Sequence, residues 1–101
     1  MKIWFNKLHD SRRQVVEVAG PEITIGRDAS CDVVLASPLV SRQHAVLRLA
    51  SGGLELENVG LNSCLVGATE VLGELHAAGE SGAVKIGDVR DGAEGVRYVG
   101  F

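Results

Sequence analysis

The feature that most constrains this chain is the spacing of its apolar residues. They recur at every second position in short runs, and glycines separate the runs. Leu54-Glu55-Leu56-Glu57 is the clearest case. Alternation at period two sends successive side chains to opposite faces of a strand, so one face can pack while the other meets water. By this reading strands are expected over residues 2–7, 14–18, 22–25, 32–35, 45–49, 54–57, 64–66, 69–72, 84–86 and 96–99. In the first, Ile3 and Phe5 share a face and Trp4 takes the other. Ile23 and Ile25 share a face, and residues 45–49 turn Ala45, Leu47 and Leu49 inward and Arg48 outward. Residues 32–35 are a continuous apolar run after Asp32, as in a strand buried on both faces. A helical alternative over residues 70–78, with Val71, Leu72 and Leu75 on one face, is interrupted by Gly73, which costs about 1 kcal/mol against alanine in a helix. Short strands about 8–12 residues apart, with turn residues between them, predict an all-β sandwich or barrel.

Composition sets the class. The glycines (13 of 101, against 2 prolines) fall between apolar runs and act as punctuation, so no low-complexity segment or internal repeat results. A length of 101 residues gives one domain over 1–101, and the last strand running into Phe101 leaves room for that domain to be a piece of a longer protein. Ten Lys+Arg against thirteen Asp+Glu give a net charge of −3, which argues against nucleic acid or an anionic membrane as a general partner. No apolar run approaches the roughly 20 residues of a spanning helix. The apolar stretch at Ile3-Trp4-Phe5 is too short for a secretory signal. A cytoplasmic protein without membrane insertion is therefore expected. Cys31 and Cys64 are too few for a disulfide framework and too far apart for a metal knuckle. They read as two reduced thiols unless their segments meet in space. Neither a metal nor a cofactor is expected.

Three polar connections hold residues that a β core does not need. Gly26-Arg27-Asp28 follows the Ile23/Ile25 strand. Pro38-Leu39-Val40-Ser41-Arg42-Gln43-His44 leads into the Ala45 strand. Asn58-Val59-Gly60-Leu61-Asn62-Ser63 follows the Leu54–Glu57 alternation. Connections of a sandwich gather at its two ends, and those after the third, fourth and sixth strands share an end if one switch between sheets intervenes. Gly-Arg, then Ser-x-x-His, then an asparagine-containing turn, in this order and with these strand contexts, resembles the forkhead-associated (FHA) domain over about residues 23–67.

The resemblance implies a two-sheet antiparallel β-sandwich of about eleven short strands, FHA/SMAD-like, that binds phosphothreonine-containing proteins or peptides, an intramolecular phosphosite included. It assigns Arg27, Ser41 and Arg42 to the phosphate and Asn62 to the peptide backbone beside it. Gly26 and His44 take structural roles in the loops. The residues suit that chemistry: arginine offers a planar fork of donors that stays charged, and a phosphothreonine brings about −1.5 to −2 charge and three acceptor oxygens. Catalysis is not expected, since no Gly-x-Ser-x-Gly elbow accompanies Ser41 and His44, and Asp28 and Asp32 lack the pattern of a calcium loop. His9 and His76 lack partners at ligand spacing and read as surface residues. The sequence also departs from the family pattern. Leu61 stands where a serine or threonine usually helps hold phosphate, Ser63-Cys64 stand for Gly-Thr, and Gly67-Ala68 for Asn-Gly. The alternative function is therefore a docking domain indifferent to phosphate within a larger bacterial protein, such as a secretion-system component.

Overall fold

The computed structural model describes residues 2–8, 10–50, 53–66, 69–71, 75–79, 81–86 and 94–99. His9, Gly67, Ala68, Gly73 and Phe101, each singled out above, lie outside the described residues, as does the side chain of His76. Eleven strands appear among them: β1 Lys2–Lys7, β2 Gln14–Glu17, β3 Glu22–Gly26, β4 Val33–Val34, β5 Ala45–Ala50, β6 Gly53–Asn58, β7 Cys64–Val66, β8 Thr69–Val71, β9 Leu75–Gly79, β10 Ser81–Ile86 and β11 Glu94–Val99. They form two sheets, β2-β1-β11-β10-β7-β8 and β4-β3-β5-β6-β9.

The alternation in the sequence becomes the inner faces of both sheets. Ile3 and Phe5 of β1, Ile23 and Ile25 of β3, and Leu54 and Leu56 of β6 all join one buried cluster. Each such side chain contributes about 1.5–3 kcal/mol by leaving water. The partner positions face out. On the outer face of the second sheet Arg48 reaches Glu57 at 2.8 Å and Glu22 at 3.4 Å, tying three neighbouring strands by partly exposed ion pairs. The inward register of β6 runs one step past its leucines, Leu54, Leu56, then Asn58, and so buries an asparagine at the strand end.

Three expectations change. Leu49, expected inward, is 45% exposed at the far end of β5. The run at 32–35 shrinks to the two residues of β4, because Asp32 turns its carboxylate onto the Thr24 amide (2.9 Å) and hydroxyl (3.1 Å). Residues 75–79, read above as loop or helix, form β9 and pair with β6 across a register shift between Leu54 and Glu55.

The loops share an end for a reason other than a switch of sheets. β3, β4, β5 and β6 all lie in one sheet, and β3 and β4 are the one parallel pair among the described strands, with Ile25 opposite Val33 and Gly26 opposite Val34. Two consecutive strands pointing the same way send both of their exits to one end. The antiparallel pairs β3–β5 and β5–β6 then bring the start of β5 and the exit of β6 there as well.

Candidate functional site

The site is built from the connections 27–32, 35–44 and 59–63. Backbone bonds join the first to the second: the Arg27 amide donates to the Ser41 carbonyl (3.0 Å) and the Asp28 amide to the Arg42 carbonyl (3.1 Å). The Arg27 Nε adds a bond to the Val40 carbonyl at 3.0 Å, which lays the arginine along the second loop. Its Nη groups carry no hydrogen bond to the described residues, so the outer half of the guanidinium is free to bind. The approach of these loops requires a glycine at 26: a Cβ there would run into the Arg42 carbonyl and stand 2.9 Å from the Cys31 Sγ. The constraint is space, since the backbone of Gly26 is not left-handed. The Cys31 thiol occupies the same niche and donates to the Arg42 carbonyl (3.1 Å).

His44 joins the second loop to the third. Its backbone amide donates to Ile25 (2.9 Å), and its carbonyl accepts from Val59 (2.8 Å) and Gly60 (3.1 Å). The ring is fully buried. Nδ1 accepts the Ser41 amide at 2.9 Å and Nε2 lies 2.7 Å from the Asn62 carbonyl. An amide can only donate and a carbonyl only accept, so the proton sits on Nε2 and the imidazole is neutral. Burial pushes its pKa below the ordinary histidine value, and the bond to Asn62 offsets part of that. No bond joins the ring to the Ser41 hydroxyl, so these two residues do not form the nucleophile–base pair that acyl-transfer chemistry requires.

The third loop closes on the second from outside. The Leu61 amide donates to Ser41 Oγ (3.0 Å), leaving the Ser41 hydroxyl proton for another acceptor. Asn62 Nδ2 donates to the Leu39 carbonyl (2.9 Å), while its Oδ1 carries no hydrogen bond to the described residues. Arg27, Arg42 and Asn62 are exposed and Ser41 half-buried. The structure thus brings all four of these residues to one end, with Gly26 and His44 beneath them. Of Arg42 it is the carbonyl that is engaged; the guanidinium extends into solvent with no partner among the described residues.

Two residues that position the loop carry no role in the sequence reading. Asn58, 4% exposed, donates through Nδ2 to the Asn62 carbonyl (2.9 Å) and the Val71 carbonyl (2.9 Å) and accepts the Gly60 amide (2.9 Å). Its signal was present: a polar residue at the next inward position of the Leu54/Leu56 alternation. Gly60 lies flat against the His44 ring, where a Cβ would stand 2.6 Å from Cγ and Cδ2. Nothing in its neighbours distinguishes it from the other glycines. Cys31 and Cys64 are both free and buried, and burial raises both thiols, Cys64 to about 12. Among the described residues no group of three His, Cys, Asp or Glu side chains is placed to hold a metal ion.

Comparison with known proteins is consistent with this geometry. The chain resembles Rad53 1–466 at 12% identity and a TM-score of 0.80, over all of this chain and 30% of that one. The first FHA domain of Mycobacterium tuberculosis Rv1747 is 24% identical with a TM-score of 0.70, over 99% of this chain and 98% of that one. The N-terminal FHA domain of S. cerevisiae Rad53p, solved with a phosphothreonine peptide, is 13% identical with a TM-score of 0.80, over 100% and 94%. These likenesses establish the fold. No curated protein matches the chain. The sequence model of the FHA domain matches residues 23–87, more than half of the sequence and all three loops, so the chain belongs to the FHA domain family.

Proposed function

We propose that this chain is a protein-interaction module that docks partners carrying phosphothreonine, with Arg27, Ser41 and Arg42 on the phosphate and Asn62 on the neighbouring peptide backbone. FHA domains are interaction modules, and a relative of this fold has been solved with a phosphothreonine peptide. The observation that carries the reading is the state of the donors. The Arg27 side chain is anchored by Nε alone, Ser41 has used its oxygen but not its proton, and the Ser41 loop, fixed from below by His44, holds the Arg27 loop by backbone bonds. Clustered arginine and hydroxyl donors on a rigid frame are the usual means of recognising a phosphorylated motif. Each charge-assisted bond contributes about 1.5–3 kcal/mol, so two or three reach micromolar affinity after the cost of association. A phosphosite elsewhere in the same polypeptide would satisfy the same chemistry.

A second reading, docking without phosphate, is favoured by Leu61, which offers no hydroxyl, and by the use of one Asn62 amide hydrogen on the Leu39 carbonyl. Fluorescence anisotropy separates the two. Pooled phosphothreonine peptides are titrated beside unphosphorylated and phosphoserine versions, against the native protein and Arg27→Ala. The phosphothreonine reading expects micromolar binding of the phosphothreonine pool alone, weakened at least about tenfold by Arg27→Ala, or about 1.4 kcal/mol. Binding that ignores both phosphate and Arg27 overturns it in favour of the second.

A further inference from the structure

The third loop presents a leucine that the fold does not use. Leu61 is 96% exposed, although its backbone is tied to the frame of the site. Its amide is bound to Ser41 Oγ, and the carbonyl of the next residue is taken by both His44 and Asn58. A loop pinned in this way does not fold its side chain back into the core. Across from it, Leu39 is 44% exposed and equally fixed, its amide on Ser37 Oγ and its carbonyl on Asn62 Nδ2. The two bonds Leu61–Ser41 and Asn62–Leu39 set the backbone of each leucine directly against one of the residues proposed to hold phosphate and peptide backbone. Val59, in the same connection, is 47% exposed.

We infer that Leu61 and Leu39 form a specificity rim that selects phosphothreonine segments with an aliphatic side chain beside the phosphorylated residue. The inference rests on the phosphothreonine reading above and names the sequence class that reading leaves open. Three physical points support it. Apolar side chains exposed next to free cationic donors make a surface complementary to a ligand that is anionic at one atom group and oily at the next; a uniformly polar or acidic segment would strand the leucines against charge. Because the rim is already ordered, covering it removes apolar surface from water without ordering a loop first. And where a hydroxyl would have added to phosphate affinity regardless of sequence, a leucine adds affinity only for a partner that can cover it, which converts a general contact into a selective one.

The test uses pairs of short peptides, identical around one phosphothreonine, in which each flanking position in turn is leucine or serine. Affinities are measured by anisotropy for the native protein, Leu61→Ala, Leu39→Ala and Arg27→Ala. At one or more positions adjoining the phosphothreonine, the leucine peptide is expected to bind native protein at least about fivefold more tightly, the effect of covering part of one leucine side chain. Leu61→Ala should bring that ratio below about twofold, leave the serine peptide unchanged and leave the thermal midpoint unchanged, since the side chain touches water alone. Arg27→Ala should weaken both peptides alike and keep the ratio. Raising the salt should weaken both bindings and again keep the ratio, because screening acts on the phosphate contacts and not on apolar burial. Phosphothreonine binding with no preference at any flanking position, or a preference that survives both leucine variants, overturns the rim and leaves the phosphothreonine reading standing. If no phosphothreonine peptide binds, that reading and the rim fall together.

Discussion

At the scale of single residues, His44 commits both ring nitrogens to backbone groups, and this fixes how it titrates. The neutral form satisfies Ser41 and Asn62 at once, whereas a proton on Nδ1 would face the Ser41 amide proton. Its pKa in the folded state is lowered, so between that value and the unfolded value of about 6.5 the unfolded chain binds more protons than the folded one. The His44 contribution to stability is therefore fully present above about pH 6.5. It is lost as the pH falls below that, by up to about 1.4 kcal/mol per pH unit, until the folded pKa is passed. Urea midpoints of the native protein between pH 8 and 5.5 are expected to fall more steeply than those of His44→Asn, which keeps the other two histidines; equal slopes would count against this titration of His44. The sequence placed His44 in a structural role only through the Ser-x-x-His resemblance. The identity of its partners was not legible, because both are backbone atoms, and backbone atoms leave no mark on composition.

At the scale of elements, the strands most legible in the sequence are those whose two faces differ, β1, β3 and β6, since their alternation is the burial pattern itself, whereas β5 buries Val46 and exposes Leu49 against its alternation. β9 escaped because Leu-His-Ala-Ala-Gly has neither β-branched residues nor alternation, and its conformation is chosen by the edge of β6 that it completes. The parallel pair β3–β4 escaped for a related reason: two residues of ladder carry no signal of direction. Where the loops meet, the constraint is steric, and glycine substitutions read it out. Gly60→Ala should cost about 1–3 kcal/mol by pressing a methyl into the His44 ring, and weaken phosphopeptide binding with it. Gly20→Ala, with nothing within 4 Å of its added Cβ, should be neutral or stabilising by up to about 1 kcal/mol. Thermal or urea melts of the pair decide whether space at position 60, rather than glycine content, holds the site together.

At the scale of the whole molecule, the departures at the third loop fall into place once packing is known. Leu61, which reads in sequence as a lost phosphate contact, is also an exposed apolar group on a rigid support, and exposure could not be read from the order of residues. The two sheets differ in how far apart in the chain their partners lie. β3, β5 and β6, which carry the site, pair within residues 22–58, whereas β1 pairs with β11, setting Trp4 opposite Val99. Closing so long a loop costs chain entropy before any contact rewards it, and topologies rich in such pairs fold on timescales of about milliseconds to seconds. The nearer partners should therefore assemble first. In stopped-flow refolding, Leu47→Ala in β5 is expected chiefly to slow folding, and Ile3→Val in β1 chiefly to speed unfolding. The reverse pattern would place the closing strands in the nucleus. With the expected pattern, the sheet bearing the candidate site takes shape while β1 and β11 are still apart, and the pairing of those two strands is the late event that locks it.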